Sequence, residues 1–149
     1  MRFIPDENYK FIVKKMPILV VDLFVKLESG QYILVRRANE PLRDQWWIPG
    51  GRVLKGEEIK TAAYRIAKEE LGLLESDFRF DPIFRGYYNA FYTTSAWECD
   101  THTTSLLFEF HLNHTFDISL DDQSLEMQTG PIPQEIIEYL RETDQAELQ

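Results

Sequence analysis

A short stretch in the middle of the chain places charged residues at a spacing that suits metal chemistry. Gly51 is followed after five residues by Glu57, and Arg65, Glu69 and Glu70 come next within a helical pattern. Residues four apart lie on one face of a helix, so Arg65 and Glu69 are predicted to be neighbours. Adjacent carboxylates offer oxygen ligands to a hard cation such as Mg²⁺, which commonly bridges to substrate phosphates. The stretch therefore predicts a divalent-cation site.

The element that must hold these charges is a helix from Glu57 to Leu71. Its apolar or small residues recur at spacings of three and four, and Gly72 stands where a left-handed residue commonly ends a helix. The preceding segment, 38–50, is predicted to be a loop because prolines and glycines surround two tryptophans. Before that loop, residues 18–26 and 32–35 have the β-branched, apolar composition of a hairpin.

The remaining pattern completes an α+β domain. A first short helix is predicted to begin near Asp6, before the hairpin. After the central helix the pattern predicts an aromatic-rich strand over 78–92, a polar loop over 93–101, a strand over 103–112, a loop over 117–130 and a helix over 133–141. The last helix is expected to direct Ile136, Ile137 and Leu140 inward. This order predicts a mixed β-sheet between helices, in a single domain of residues 1–149.

The composition excludes several classes of function. The 149 residues carry a formal net charge of −9, and residues 98–149 contain 12 of the acidic groups but one basic residue, Arg141. An acidic chain is not expected to bind a nucleic-acid backbone, which needs several cations on one surface. No apolar run approaches the length that spans a bilayer, so no membrane partner is expected. The single cysteine, Cys99, excludes an internal disulfide, and we expect a cytoplasmic location.

The spacing from Gly51 to Leu73 resembles the Nudix box. That pattern is Gly, five residues, Glu, seven residues, then Arg-Glu-apolar-any-Glu-Glu-any-Gly-apolar. The chain matches it at seven positions: Gly51, Glu57, Arg65, Glu69, Glu70, Gly72 and Leu73. The resemblance implies a Nudix fold and a hydrolysis in which metal-activated water attacks phosphorus in a diphosphate. The alternative is an amphipathic surface helix whose charges are merely solvated.

One position departs from the box and changes the expected reaction. Ile66 stands where the box has its first helical Glu, so one carboxylate is missing from the expected metal cluster. The departure resembles the GDP-mannose mannosyl hydrolase branch, in which an apolar residue takes this place and water attacks carbon rather than phosphorus. That branch usually replaces the next Glu as well, whereas Glu69 is retained here. Further likeness, over residues 15–123, includes the segments Pro17–Asp22, Arg36–Arg37, Trp46, Pro49–Val53 and Asp100–His102.

The resemblance to that branch implies roles for particular residues. Five residues would line the substrate: Asp22, Arg37, Arg52, Arg65 and Glu70. The first four of these would contribute to catalysis, and His102 would be a further substrate contact. The metal, Mg²⁺ or in its place Mn²⁺, would be held by the Gly50 carbonyl, Glu70 and Gln123. The cation and the arginines would meet the charge that builds on a leaving diphosphate.

Two of these residues also have a structural alternative. Arg65 is equally suited to pair with Glu57 or Glu69. Asp22 interrupts an apolar strand, where a buried carboxylate is costly unless it is paired or used. Asp22 therefore either faces the sugar or points to solvent by strand alternation.

A second departure concerns the general base. In the mannosyl hydrolases a His follows the metal-binding Gln, whereas here Ser124 follows it. Serine has no useful basicity near neutral pH. Nearby carboxylates are candidate bases: Asp121, Asp122 and Glu126. Glu69 and Asp122 are candidates for either a metal-ligand or a base role.

The predicted function is the Mg²⁺-dependent hydrolysis of a nucleotide-sugar, with GDP-mannose giving GDP and mannose as the specific expectation. Six rings are candidates for stacking on the nucleobase: Trp46, Trp47, Tyr87, Tyr88, Phe91 and Tyr92. Two alternatives stay open, a Nudix pyrophosphatase that uses Glu69 and Glu70, and a nucleotide-sugar binding module with weak or no catalysis. The resemblance also implies a homodimer in which the N-terminal segment helps to form the interface.

Overall fold

The computed structural model describes residues 4–97, 99–114 and 126–142. Within these residues the helices are α1 (Asp6–Lys15), α2 (Ile59–Leu71) and α3 (Gln134–Glu142). The strands are β1 (Ile18–Lys26), β2 (Tyr32–Arg36), β3 (Trp46–Trp47), β4 (Gly50–Arg52), β5 (Ile83–Tyr92), β6 (Thr101–His111) and β7 (Met127–Gly130). None of the helices in the described ranges is long and apolar enough to cross a membrane. The predicted α+β class with a mixed sheet is confirmed.

Strand β1 organises the sheet because it has different neighbours on its two edges. Along one edge it runs parallel to β6, from Ile18 opposite Thr103 to Lys26 opposite His111. Along the other edge, β4 pairs with its first half and β2 pairs only at Lys26. Strand β5 then lies antiparallel beside β6 at the sheet edge, and β3 and β7 both pair with β2.

The two faces of the sheet carry separate apolar cores. On one face, α2 buries Ala63, Ile66 and Ala67 against β1 side chains that include Leu23. On the other face, α3 buries Ile136 and Leu140 against Phe24, Tyr88 and Leu107. Alternate residues of a strand point to opposite faces, which explains why Leu23 and Phe24 belong to different cores. The sheet is therefore packed between helices, as the sequence predicts.

Helix α2 begins two residues later than its periodicity predicts. Glu57 lies in the turn before the helix, where its carboxylate accepts a hydrogen bond from the Leu54 amide at 3.0 Å. The helix ends as expected, with Gly72 in the left-handed region at a φ of 70°. A residue with a Cβ would be strained in that conformation.

Several predicted boundaries are wrong in the loops. The segment 38–50 contains β3 and the first residue of β4, and the segment 117–130 ends in β7. The strand predicted over 78–92 begins at Ile83, after a short 3₁₀ turn over residues 75–77. Strands as short as β3 and β7 form because β2 offers its backbone groups to them, which local propensity does not reveal.

Candidate active site

A cavity of about 370 Å³ opens on the same sheet face as α3, where β4 pairs with β1. It is lined by α1, β1, β3, β4, β5 and β6 together with residues from the segments 37–42 and 95–97. Three predicted site side chains line it: Asp22, Arg37 and Arg52. The backbone of Gly50, a predicted metal ligand, also belongs to its wall.

Asp22 forms the buried acidic group of the cavity. Its side chain lies on β1, and the residue is only 6% exposed, which excludes the solvent-facing alternative. Its Oδ2 accepts a hydrogen bond from the Tyr88 hydroxyl at 2.7 Å. Burial raises the pKa of Asp22 to about 6, although hydrogen bonds from Tyr88 and Ser105 and the charge of Arg37 act to lower it. The carboxylate is thus a costly group held in place by polar neighbours.

The two cavity arginines are held by contacts at different parts of the wall. The Nε of Arg37 donates a hydrogen bond to the Pro41 carbonyl oxygen at 2.7 Å. The guanidinium of Arg52 lies over the Tyr9 ring, 5.4 Å from its centroid. Both arginines present positive charge to the cavity, which suits a diphosphate.

Glu70 does not line the cavity, but the charge of the cavity residue Arg37 acts on it. Burial and the charge of Glu69 raise the pKa of Glu70, and the charge of Arg37 lowers it. Among the described residues no cluster of three or more His, Cys, Asp or Glu side chains is placed to hold a metal ion. The predicted donors among the described residues are the exposed carboxylate of Glu70, near the end of α2, and the carbonyl of Gly50. This oxygen set fits Mg²⁺ or Mn²⁺, because Mg²⁺ keeps several waters and needs only one or two carboxylates from the protein.

Arg65 forms ion pairs with two carboxylates and a hydrogen bond to the backbone of β4. Its Nε donates to Glu57 at 2.6 Å, and its Nη1 donates to Glu69 at 3.0 Å. A further bond joins its Nη2 to the Arg52 carbonyl oxygen at 2.9 Å. Arg65 does not line the cavity. The structure therefore shows the pairing alternative directly, and a catalytic contribution of Arg65 stays a prediction.

Ile66 is a core residue. It is 1% exposed and belongs to the apolar cluster between α2 and the sheet. A Cβ added to Gly51 would lie 3.3 Å from Ile66 Cγ1, so the helix packs closely on β4 at this point. An apolar side chain thus fills the place that the Nudix box gives to a carboxylate.

His102 does not line the cavity, and its role as a substrate contact stays a prediction. Thr101 and Thr103 line the cavity, and strand alternation turns the residue between them to the opposite face. There the His102 ring lies against Phe91, with centroids 4.3 Å apart, and its Nε2 is 3.3 Å from Asn89 Oδ1.

Half of the rings proposed for base stacking line the cavity, and two others join them. Trp47, Tyr88 and Tyr92 are in the wall, whereas Trp46, Tyr87 and Phe91 are not. The two further rings, Tyr9 of α1 and Trp97, were not predicted, and they meet edge to face at 5.7 Å. No local pattern indicates this pair, because α1 reaches the cavity only through the tertiary fold.

Some predicted residues lie outside the described part of the chain. These are the metal ligand Gln123, its neighbour Ser124, and the candidate bases Asp121 and Asp122. Of the candidate bases near Ser124, Glu126 is described, and it directly precedes β7.

Comparison with known proteins identifies the family of this chain. The family model described as "NUDIX domain" matches residues 16–145. The low-salt glycan biosynthesis protein Agl8 of Haloferax volcanii is 38% identical over 129 residues, which cover 85% of this chain and 74% of Agl8. Its name assigns that relative to glycan biosynthesis.

Solved structures show the same fold at lower identity. A MutT protein from Methanosarcina mazei Go1 is 21% identical with a TM-score of 0.58, covering 86% of this chain and 91% of that one. The NUDIX domain of Shewanella oneidensis NrtR, crystallised with ADP ribose, is 15% identical with a TM-score of 0.59, covering 87% and 89%. The family match over most of the chain, the Agl8 similarity and the shared fold show that this protein belongs to the Nudix hydrolase family.

Proposed function

We propose that this Nudix protein hydrolyses a nucleotide-sugar, with GDP-mannose as substrate and GDP and mannose as products. The observation that carries the proposal is the arrangement of charges along the cavity. Arg37 and Arg52 line the same cavity as the buried carboxylate of Asp22, and the charge of Arg37 acts on both Asp22 and Glu70. A nucleotide-sugar has the matching order, with a diphosphate for the arginines and a sugar for a buried hydrogen-bond acceptor.

In the proposed reaction, water attacks the anomeric carbon of the sugar and gives up one proton to a base. The bond between that carbon and the diphosphate oxygen breaks, and the electron pair leaves with GDP. Arg37 and Arg52 stabilise the charge that develops on the diphosphate, and Asp22 stabilises the oxocarbenium-like sugar and binds its hydroxyls. Mg²⁺ held by Glu70, the Gly50 carbonyl and, as a further ligand, Gln123 would supply additional positive charge at the leaving group.

The placement of Ile66 supports attack at carbon rather than at phosphorus. Attack at phosphorus depends on metal-activated water, and a carboxylate-rich metal cluster favours that reaction. Here one carboxylate position is filled by a buried isoleucine, and Glu69 is paired with Arg65. The similarity to a glycan biosynthesis protein also supports a sugar-containing substrate.

Hydrolysis of GDP-mannose in ¹⁸O-labelled water with Mg²⁺ tests the proposal. The expected result is label in mannose and none in GDP. Label in GMP or in mannose 1-phosphate would instead identify a pyrophosphatase that acts through Glu69 and Glu70. Binding of GDP-mannose without turnover would identify a binding module.

The homodimer and the cytoplasmic location belong to the same proposal. Light scattering on the eluting peak of a size-exclusion column measures the mass of the particle, and a mass near 35 kDa is expected for two copies of the 17.6 kDa chain. Fractionation of the producing cell tests the location.

A further inference from the structure

The carboxylate of Asp22 is held from three sides. Its Oδ2 accepts the hydrogen bond from the Tyr88 hydroxyl at 2.7 Å, and the Ser105 hydroxyl bonds to the same carboxylate. Its Oδ1 lies against Gly50, where an added Cβ would be only 2.0 Å away. Two donors and a close backbone contact therefore fix which oxygen faces which part of the cavity.

This arrangement follows from the register of three neighbouring strands. Tyr88 of β5 lies directly opposite Ser105 of β6. Ser105 in turn lies opposite Val20 of β1, two residues before Asp22. Residues two apart in a strand share a face, so the three polar side chains project into the same end of the cavity.

Tyr88 is itself held firmly. It is 1% exposed, and its ring stacks on Tyr139 of α3 with centroids 5.4 Å apart and planes 8° from parallel. Burial and the nearby Asp22 raise the pKa of Tyr88 well above its ordinary value, so the phenol keeps its proton. A protonated hydroxyl at this position is a permanent donor to the carboxylate.

We propose that Tyr88 and Ser105 are positioning residues, which hold Asp22 so that its Oδ1 faces the sugar of the bound substrate. The positive charge of Arg37 also attracts this carboxylate. Without the two donors, the Asp22 carboxylate would turn towards Arg37. Neither the carboxylate nor the guanidinium would then contact the ligand. This inference rests on the proposed function, because it names the sugar as the group that Asp22 contacts.

The test compares Tyr88→Phe and Ser105→Ala with wild type. Tyr88→Phe keeps the ring that stacks on Tyr139 and removes only the donor. The control is Tyr32→Phe, the same change at a tyrosine on β2 whose ring packs edge to face on Phe24. Calorimetry measures the Kd of GDP and of GDP-mannose, and steady-state kinetics measure kcat and KM.

We expect both variants to bind GDP with wild-type affinity, because GDP has no sugar at the Asp22 end. Their kcat for GDP-mannose should fall about 10-fold to 100-fold, the range for loss of a hydrogen bond to a charged group. Their preference for GDP-mannose over GDP in binding should fall in parallel, and Tyr32→Phe should behave as wild type.

Two results would overturn the inference. One is wild-type kcat and binding preference in both variants, and the other is an equal loss of affinity for GDP and GDP-mannose, which indicates general loosening of the cavity. Ser105→Ala gives the same test if Tyr88→Phe does not fold. Failure of the proposed function is distinguishable, because wild type would then show no turnover at carbon while the two Kd values still report on Asp22.

Discussion

Replacing Asp22 by asparagine is expected to raise the free energy of unfolding at neutral pH. Burial lifts the pKa of this carboxyl from 3.8 to about 6, so the folded protein resists its ionisation. A tenfold change in an ionisation equilibrium corresponds to about 1.4 kcal/mol, so ionised Asp22 costs the folded state about 3 kcal/mol. Asparagine avoids this cost and retains an oxygen that can accept the Tyr88 hydrogen bond.

Proton linkage determines how the stability contributed by Asp22 changes with pH. Between pH 3.8 and about pH 6 the folded state holds a proton at Asp22 that the unfolded state has lost. The contribution of the protonated Asp22 carboxyl to the free energy of unfolding is fully present below pH 3.8, and it is lost as the pH rises through about 6. The stability of wild type relative to Asp22→Asn should therefore fall with rising pH, by about 2 kcal/mol between about pH 4.5 and about pH 7.5.

Urea unfolding of both proteins at several pH values, with EDTA to remove divalent cations, measures this difference. Glu57→Gln provides a comparison of opposite sign, because hydrogen bonding to Arg65 lowers the pKa of Glu57. Its loss should cost more stability as the pH rises towards 4.5, the ordinary pKa of this carboxyl, and a constant amount above that pH. A wild-type minus Asp22→Asn difference that is flat or rises with pH would refute the reasoning about Asp22.

Three further predictions concern the cavity and α2. Gly50→Ala should lower turnover by about 100-fold or more, because its Cβ would displace Asp22. Gly51→Ala is the control, since its Cβ meets only the Ile66 side chain at 3.3 Å, and turnover near wild type is expected in the same assay. Glu70→Gln should abolish metal-dependent turnover and weaken Mn²⁺ binding by more than about 10-fold. Electron paramagnetic resonance measures the Mn²⁺ affinity, and an unchanged affinity would show that Glu70 is not a metal ligand. Ile66→Glu should lower the free energy of unfolding by about 3–5 kcal/mol in urea, because it buries an unpaired charge, and a negligible loss would contradict its place in the core.

Much of the fold follows from patterns that are local in sequence. The apolar spacing of α2 and the glycine at its end predict that helix, and the β-branched run of β1 predicts the central strand. The short strands β3 and β7 were missed because their extended form depends on pairing with β2. Their sequences, Trp-Trp and Met-Gln-Thr-Gly, are too short to show an alternation of their own.

The site was predictable where residue type and strand position decide the outcome. A carboxylate within an apolar strand identified Asp22, and the glycine-rich turn identified Arg52. His102 lies outside the cavity because one step along a strand reverses the face, so its neighbours Thr101 and Thr103 reach the cavity and it does not. Tyr9 and Trp97 could not be found, because their contact joins residues 88 apart in the chain.

The chemistry of the cavity depends on the register between β1 and β4. Asp22 lies directly opposite Gly50, and this pairing sets the backbone of the predicted metal ligand Gly50 beside the carboxylate. A shift of one residue in the register of β1 would move the Asp22 side chain to the other face of the sheet, into the apolar core under α2. Val21 or Leu23 would then take its place in the cavity. The core excludes that slip, because Val21 and Leu23 are already fully buried against α2. Apolar packing against α2 on one face of β1 therefore also keeps the Asp22 carboxylate on the cavity face.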